Sequence, residues 1–128
     1  MSSSDERRLV LHETMLPGGA FEKTWLEVVD GALVMRVEGG SAVEVPVPIF
    51  EAVMQRYGRP LAEGIDPVGP TVELPGGQVL CLFRHRARYD VTARDFLVYR
   101  APGREPLAEL ATSVSAALTY LVGVQARS

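Results

Sequence analysis

Residues 24–37 read Thr24-Trp25-Leu26-Glu27-Val28-Val29-Asp30-Gly31-Ala32-Leu33-Val34-Met35-Arg36-Val37. The Asp-Gly pair at the centre is a strong hairpin signal, because a two-residue type I′ turn needs φ > 0 at both central positions. Folding the chain back there sets Val28 opposite Leu33, Leu26 opposite Met35 and Thr24 opposite Val37. All six share one face, which is apolar except for Thr24. The other face carries Trp25, Glu27, Val34, Arg36 and Glu38. Such alternation is the pattern of a sheet with one buried side.

Working outward, Leu9 to Leu16 reads as a preceding strand, joined through the turn Pro17-Gly18-Gly19 to a strand from Lys23. Downstream, a three-residue loop at Gly39-Gly40-Ser41 leads into a fourth strand, Ala42 to Val47. That register sets Val37 opposite Val43, Met35 opposite Val45 and Leu33 opposite Val47, and keeps Glu44 on the outer face. Arg36 then falls between Trp25 and Glu44, placed to stack on one and pair with the other. Pro48 suits the first turn of a helix, and Ile49, Phe50, Val53, Met54 and Tyr57 form its apolar stripe. Gly58 and Pro60 end it. Residues 59–70 read as an irregular crossover. Strands follow at Thr71–Leu74, Gln78–Tyr89 and Asp95–Ala101, with turns at Pro75-Gly76-Gly77 and Pro102-Gly103. A final helix is expected from Glu105 to Val122, so this half lacks a fourth strand.

The 128 residues, 47% hydrophobic and 23% charged, amount to one domain with a core. The expected organisation is a disordered N-terminus at 1–8 and a single α+β domain at 9–124. A lone Cys excludes a disulfide framework. The N-terminus has no apolar stretch of the secretory type, which points to the cytoplasm. Thirteen basic and sixteen acidic residues give −3, which excludes a wholly basic nucleic-acid coat but not a local basic patch. The charge is uneven: residues 1–75 carry twelve acids and six bases (−6), and residues 76–128 carry four acids and seven bases (+3). The two halves therefore either pack against each other or leave one basic face. Arg outnumbers Lys twelve to one. That is either a choice of guanidinium chemistry or the mark of a GC-rich coding sequence.

Leu16-Pro17-Gly18-Gly19 recurs as Leu74-Pro75-Gly76-Gly77, 58 residues later, and Pro48 recurs as Pro106. Leu33-Val34-Met35-Arg36 is echoed by Leu97-Val98-Tyr99-Arg100. The chain is thus expected to form two antiparallel β-meander-plus-helix units, 9–58 and 71–122, packed as a pseudo-repeat with a long C-terminal helix. In element order over residues 9–122 it resembles the Whirly and PUR-type fold. That resemblance implies an oligomer that binds single-stranded nucleic acid, although some proteins of this fold group act through protein contacts instead.

Three constellations bear on function. Arg84, Arg86 and Arg88 share one face of a strand, with Arg94 and Arg100 following and Tyr99 available for stacking. They suit an anionic partner, or else they are a solvated strand end that blunts an edge. The C-terminal helix has an apolar stripe that includes Leu110, Val114, Leu118 and Leu121. No charged residue occurs from Leu110 to Ala126, a run of 17. A helix with no charged side is expected to be covered on more than one side, within the domain or at a homodimer seam. Together with Trp25 and Arg36 it forms the candidate protein interface. Such a helix is too short and too rich in Ser and Thr to span a membrane. Catalytic signatures are thin: His12 and His85 lie in separate strands without metal spacing, and Cys81 sits between two leucines. Neither metal nor cofactor is expected.

Three function classes remain. The first is a non-enzymatic oligomeric module that contacts an anionic partner such as single-stranded nucleic acid through its basic strands. The second is a protein-interaction or scaffold domain. The third is a small-ligand carrier or enzyme, which a deep polar pocket around His12 or His85 would favour.

Overall fold

The computed structural model describes residues 8–61, 71–74, 76–85 and 94–123. Four strands form the first sheet: β1 (Leu9–Met15), β2 (Phe21–Val29), β3 (Ala32–Val37) and β4 (Ala42–Glu44), ordered β1-β2-β3-β4. The central hairpin has the register its turn demands, with Val28 opposite Leu33, Leu26 opposite Met35 and Thr24 opposite Val37. Asp30 and Gly31 both take positive φ, 51° and 80°. β4 departs from expectation, since Met35 faces Val43 rather than Val45. The turn lies one residue earlier: the Gly40 amide donates to the Val37 carbonyl, and the Val37 amide donates to that of Ser41. The shift of register is two residues, so the same side chains still face inward.

A β-bulge interrupts β1 between Val10 and His12. Leu9 and Leu11, two apart and so on one face, both reach the core, at 0% and 3% exposure, and the extra residue switches the parity of the strand beyond them. It also sets His12 opposite Thr24 and Thr14 opposite Glu22.

Helix α1 (Val47–Tyr57) follows, with Pro46 at its N-cap and Phe50, Val53 and Met54 buried. A second antiparallel sheet comprises β5 (Arg59–Pro60), β6 (Thr71–Leu74), β7 (Gln78–His85), β8 (Arg94–Arg100) and β9 (Leu107–Leu110), ordered β5-β9-β8-β7-β6. Helix α2 (Ala111–Val122) ends the described chain, and Gly123 closes it at φ 75°. Two expectations are corrected here. The first residues of the expected crossover form β5, and residues 107–110 of the expected long helix form β9. Leu107 and Leu110 fit the spacing of a helix, but β9 is hydrogen-bonded to β8 on one side and β5 on the other. Two ladders outweigh one helical turn. Pro106 therefore precedes a strand, and its correspondence with Pro48 of α1 is lost.

The chain is thus an α+β structure with two antiparallel sheets and two helices. One apolar cluster joins Leu26, Leu33 and Met35 of the first sheet, Phe50 and Met54 of α1, Leu80, Leu97 and Tyr99 of the second sheet, and Val114 and Leu118 of α2. The Phe50 and Tyr99 rings meet at 5.8 Å and 58°. α2 packs on α1 and on β1, β8 and β9. Among the described residues no helix is long and apolar enough to cross a membrane.

Candidate functional site

The inner face of the first sheet changes character along its length. It is apolar at the Val28–Leu33 and Leu26–Met35 rungs, mixed at Thr24–Val37, and polar at Glu22–Thr14. α2 closes the apolar part and stands over the edge of the polar part. Between them lies an open groove of about 610 Å³, with His12, Glu22, Thr24 and Val37 on the sheet side. The helix side is Thr112, Ser115, Ala116 and Thr119, a stripe at helical spacing, with Tyr120 at the lip. Thr24 and Ser115 are buried, at 8% and 6% exposure. The His12 imidazole shares a 2.5 Å hydrogen bond with the Thr14 hydroxyl, which fixes the ring beside the groove. The sequence singled out His12 but not Glu22, Thr24, Ser115 or Thr119. Only the docking of α2 on β1 brings these together.

A second groove, about 300 Å³, runs between α1 and α2 and is lined by Val53, Arg56, Tyr57, Ala117, Tyr120 and Leu121, with Ala52. Tyr120 is 88% exposed, Leu121 54% and Tyr57 48%. The Arg56 guanidinium lies 5.6 Å from the Tyr57 ring centre. The charge-free α2 is therefore covered on one side only: Ala111, Val114, Ser115 and Leu118 are buried, whereas Thr112, Ser113, Ala116, Tyr120 and Leu121 are exposed. Of the expected interface residues, Val114 and Leu118 are core, Leu110 is half-buried in β9, and Leu121 is free on the surface.

The outer face of the first sheet also differs from expectation. Trp25 is only 8% exposed, because the Arg8 guanidinium lies over its ring at 4.6 Å. Arg36 stands opposite Trp25 but bonds Glu27, on its own side of the hairpin, rather than Glu44. The shifted register sets Ala42 rather than Glu44 opposite Arg36, which leaves the Glu27 carboxylate, two residues along β2 from Trp25, as its partner.

The basic constellation is dispersed. Arg86 and Arg88 lie outside the described residues. In the β7–β8 ladder Arg84 is opposite Asp95, Arg94 opposite His85, and Arg100 opposite Val79. Residues 79 and 84 are about 17 Å apart along β7 at ~3.4 Å per residue, so Arg100 sits at the far end of the ladder from Arg84 and Arg94. Arg100 is exposed, and the Cys81 thiol is buried at 4% exposure. Burial pushes the Cys81 thiol pKa up, and the Arg100 guanidinium pulls the other way. Tyr99 is 2% exposed and belongs to the core, so its ring offers no surface for stacking. Its hydroxyl is raised by burial first and by the Glu51 carboxylate second, with Arg104 opposing.

No protein-family model, curated protein or solved structure matches the chain. Among the described residues no group of three or more His, Cys, Asp or Glu side chains is arranged to hold a metal ion. Among the described residues, two surfaces open to a partner are the groove between the first sheet and α2 and the apolar α1–α2 face.

Proposed function

We propose that this chain is a non-enzymatic interaction module that works as a homo-oligomer, pairing through the α1–α2 face. The observation that carries this reading is the exposure of Tyr120, Leu121 and Tyr57 around one apolar groove. At about 200 Å² for an aromatic side chain, Tyr120 and Tyr57 alone leave roughly 270 Å² of ring surface in water at 88% and 48% exposure. With Leu121 the patch reaches the few hundred Å² that mark an interaction site. A stable pair needs about 800 Å² from each partner, and the flanking Ala52, Arg56, Ala117 and the rest of α2 extend the patch toward that figure. A second copy is the favoured occupant because, among the described residues, no acid lines the face and its base, Arg56, suits a neighbouring tyrosine ring. A twofold axis would place Tyr120 of each copy against the groove of the other.

The element order supports reading the two halves as a pseudo-repeat. β1–β4 precede α1 as β6–β9 precede α2. The recurring Leu-Pro-Gly-Gly joins the first two strands of each meander, with φ of 97° and 90° at Gly18 and Gly19 and 89° and 81° at Gly76 and Gly77. Leu33 and Met35 on the third strand of the first meander, and Leu97 and Tyr99 on that of the second, are all core residues.

The test is sedimentation equilibrium. The parent chain should dimerise below about 100 µM, and Tyr120→Glu and Leu121→Lys should be monomeric with unchanged far-ultraviolet circular dichroism. A parent chain that stays monomeric above that concentration overturns the reading. The anionic-partner reading keeps Arg84, Arg86, Arg88, Arg94 and Arg100 but loses Tyr99 as a stacking platform. It becomes the better account if a single-stranded oligonucleotide binds at low salt and Arg84, Arg86 and Arg88 to Ala abolishes that binding.

A further inference from the structure

We infer that the groove between the first sheet and α2 is a binding site for a neutral polyhydroxylated ligand, of the saccharide class. The site is distinct from the pairing face and shares with it only Tyr120 on the intervening ridge. Its volume, about 610 Å³, is that of a small-molecule site.

The lining chemistry selects the ligand. Thr112, Ser115 and Thr119 face His12, Glu22 and Thr24 across the groove. A hydroxyl both donates and accepts, so the hydroxyls of Thr112, Ser115 and Thr119, set in a largely apolar wall with Val37 and Ala116, match a ligand that carries both O–H and C–H groups. Glu22 supplies a strong acceptor at one end, and the imidazole of His12 is held in place by Thr14. Charge argues against an anion. Glu22 is the lining acid, and no Lys or Arg lines the groove among the described residues. Glu109, just before α2, adds a further acid near that end of the helix, its Oε1 accepting from the Leu110 amide at 2.7 Å. The buried Thr24 and Ser115 point the same way. Val and Ala would fill those positions at no polar cost, so the floor of the groove carries hydroxyls that packing alone does not require.

Backbone amide shifts during titration test the inference. Maltotriose, cellotriose and the N-acetylglucosamine trimer are the probes, with inorganic phosphate as the anionic comparison. One neutral trisaccharide should move the amides of residues 12–14, 22–24 and 112–120 and saturate at millimolar concentration. Glu22→Gln, half-buried and isosteric, should weaken that binding about tenfold, the loss of one charge-assisted hydrogen bond. Thr119→Ala should weaken it severalfold. Leu121→Lys should leave it intact even as it breaks the pair, so failure of the site and failure of the pairing face are told apart. No shifts with any of the three at about 20 mM, shifts confined to phosphate, or saccharide binding indifferent to both Glu22→Gln and Thr119→Ala would each overturn the assignment.

Discussion

Replacing Gly58 with Ala should destabilise the fold by about 2 kcal/mol, and the reason is steric rather than conformational. Gly58 ends α1 at φ −71° and ψ 151°, values open to any L-residue. Its amide donates to the Met54 carbonyl at 2.7 Å. A Cβ built there would lie 2.4 Å from that same carbonyl oxygen and 3.1 Å from Leu107 Cβ. An ordinary C···O contact is about 3.3 Å, so roughly 0.9 Å of overlap must be relieved. The last hydrogen bond of α1 must open, at about 1 kcal/mol, and the strand carrying Leu107 must also give way, at about 1–3 kcal/mol. The gain from stiffening the unfolded chain is only about 0.5–1 kcal/mol. Denaturant unfolding measures the balance, with an unchanged slope and a Tm lowered by roughly 6–10 °C. Gly39→Ala is the comparison. That site has φ 70° but nothing within 4 Å of a new Cβ, so left-handed strain of about 1 kcal/mol acts alone. A Gly58→Ala protein within about 0.5 kcal/mol of the parent, or one more stable than Gly39→Ala, would refute the reasoning.

Two further predictions concern buried groups of the second sheet. The raised Cys81 thiol makes stability fall with rising pH: the unfolded thiol ionises first, near pH 8.5, so the native advantage is full below about pH 8 and drains away above it. Unfolding midpoints from about pH 7 to 10 should decline, Cys81→Ala should flatten the first part of that decline, and Ellman's reagent should label the native protein slowly; a flat profile or a freely reactive thiol contradicts this. Tyr99→Phe should stabilise the protein by about 1 kcal/mol, because the buried Tyr99 hydroxyl has no hydrogen-bond partner among the described residues. A loss of more than about 1 kcal/mol in thermal unfolding would mean that the hydroxyl is bonded after all.

How far the sequence could be read depended on how local the deciding interaction was. The β2–β3 hairpin was legible because Asp30-Gly31 fixes turn type and register within two residues. The β3–β4 register was legible only modulo two. Apolar alternation cannot tell Val43 from Val45 opposite Met35, and the hydrogen bonds that decide belong to Val37, Gly40 and Ser41. Residues 107–110 were misread because Leu107 and Leu110 satisfy a helical spacing, while the ladders that make them a strand come from residues 59–60 and 96–99. Parity put Trp25 on the outer face correctly, but its cover, Arg8, lies in a stretch that reads as a polar tail. The hydroxyl groove was invisible for the same reason. Its two walls are some 90 residues apart in sequence, and neither alone marks a cleft.

These observations converge on α2, whose lack of charge now has a specific account. Of its three sides, one is the core stripe of Ala111, Val114 and Leu118, one presents hydroxyls to the first sheet, and one presents Ala117 and Leu121 beside α1. On the proposed reading, a charge on either exposed side would spoil a binding surface. Ser113 is the discriminating position, because it is exposed yet lines neither groove. If α2 is uncharged for the sake of its two surfaces, Ser113→Glu should change stability by no more than about 0.5 kcal/mol and leave both self-association and saccharide binding as they were. Leu121→Lys should abolish the first alone, and Thr119→Ala should weaken the second alone. If Ser113→Glu instead disrupts association as strongly as Leu121→Lys, the interface extends around the helix and the pairing face has been drawn too narrowly. If none of the three changes either property, the missing charge reflects nothing more than composition, and both surfaces lose their strongest argument.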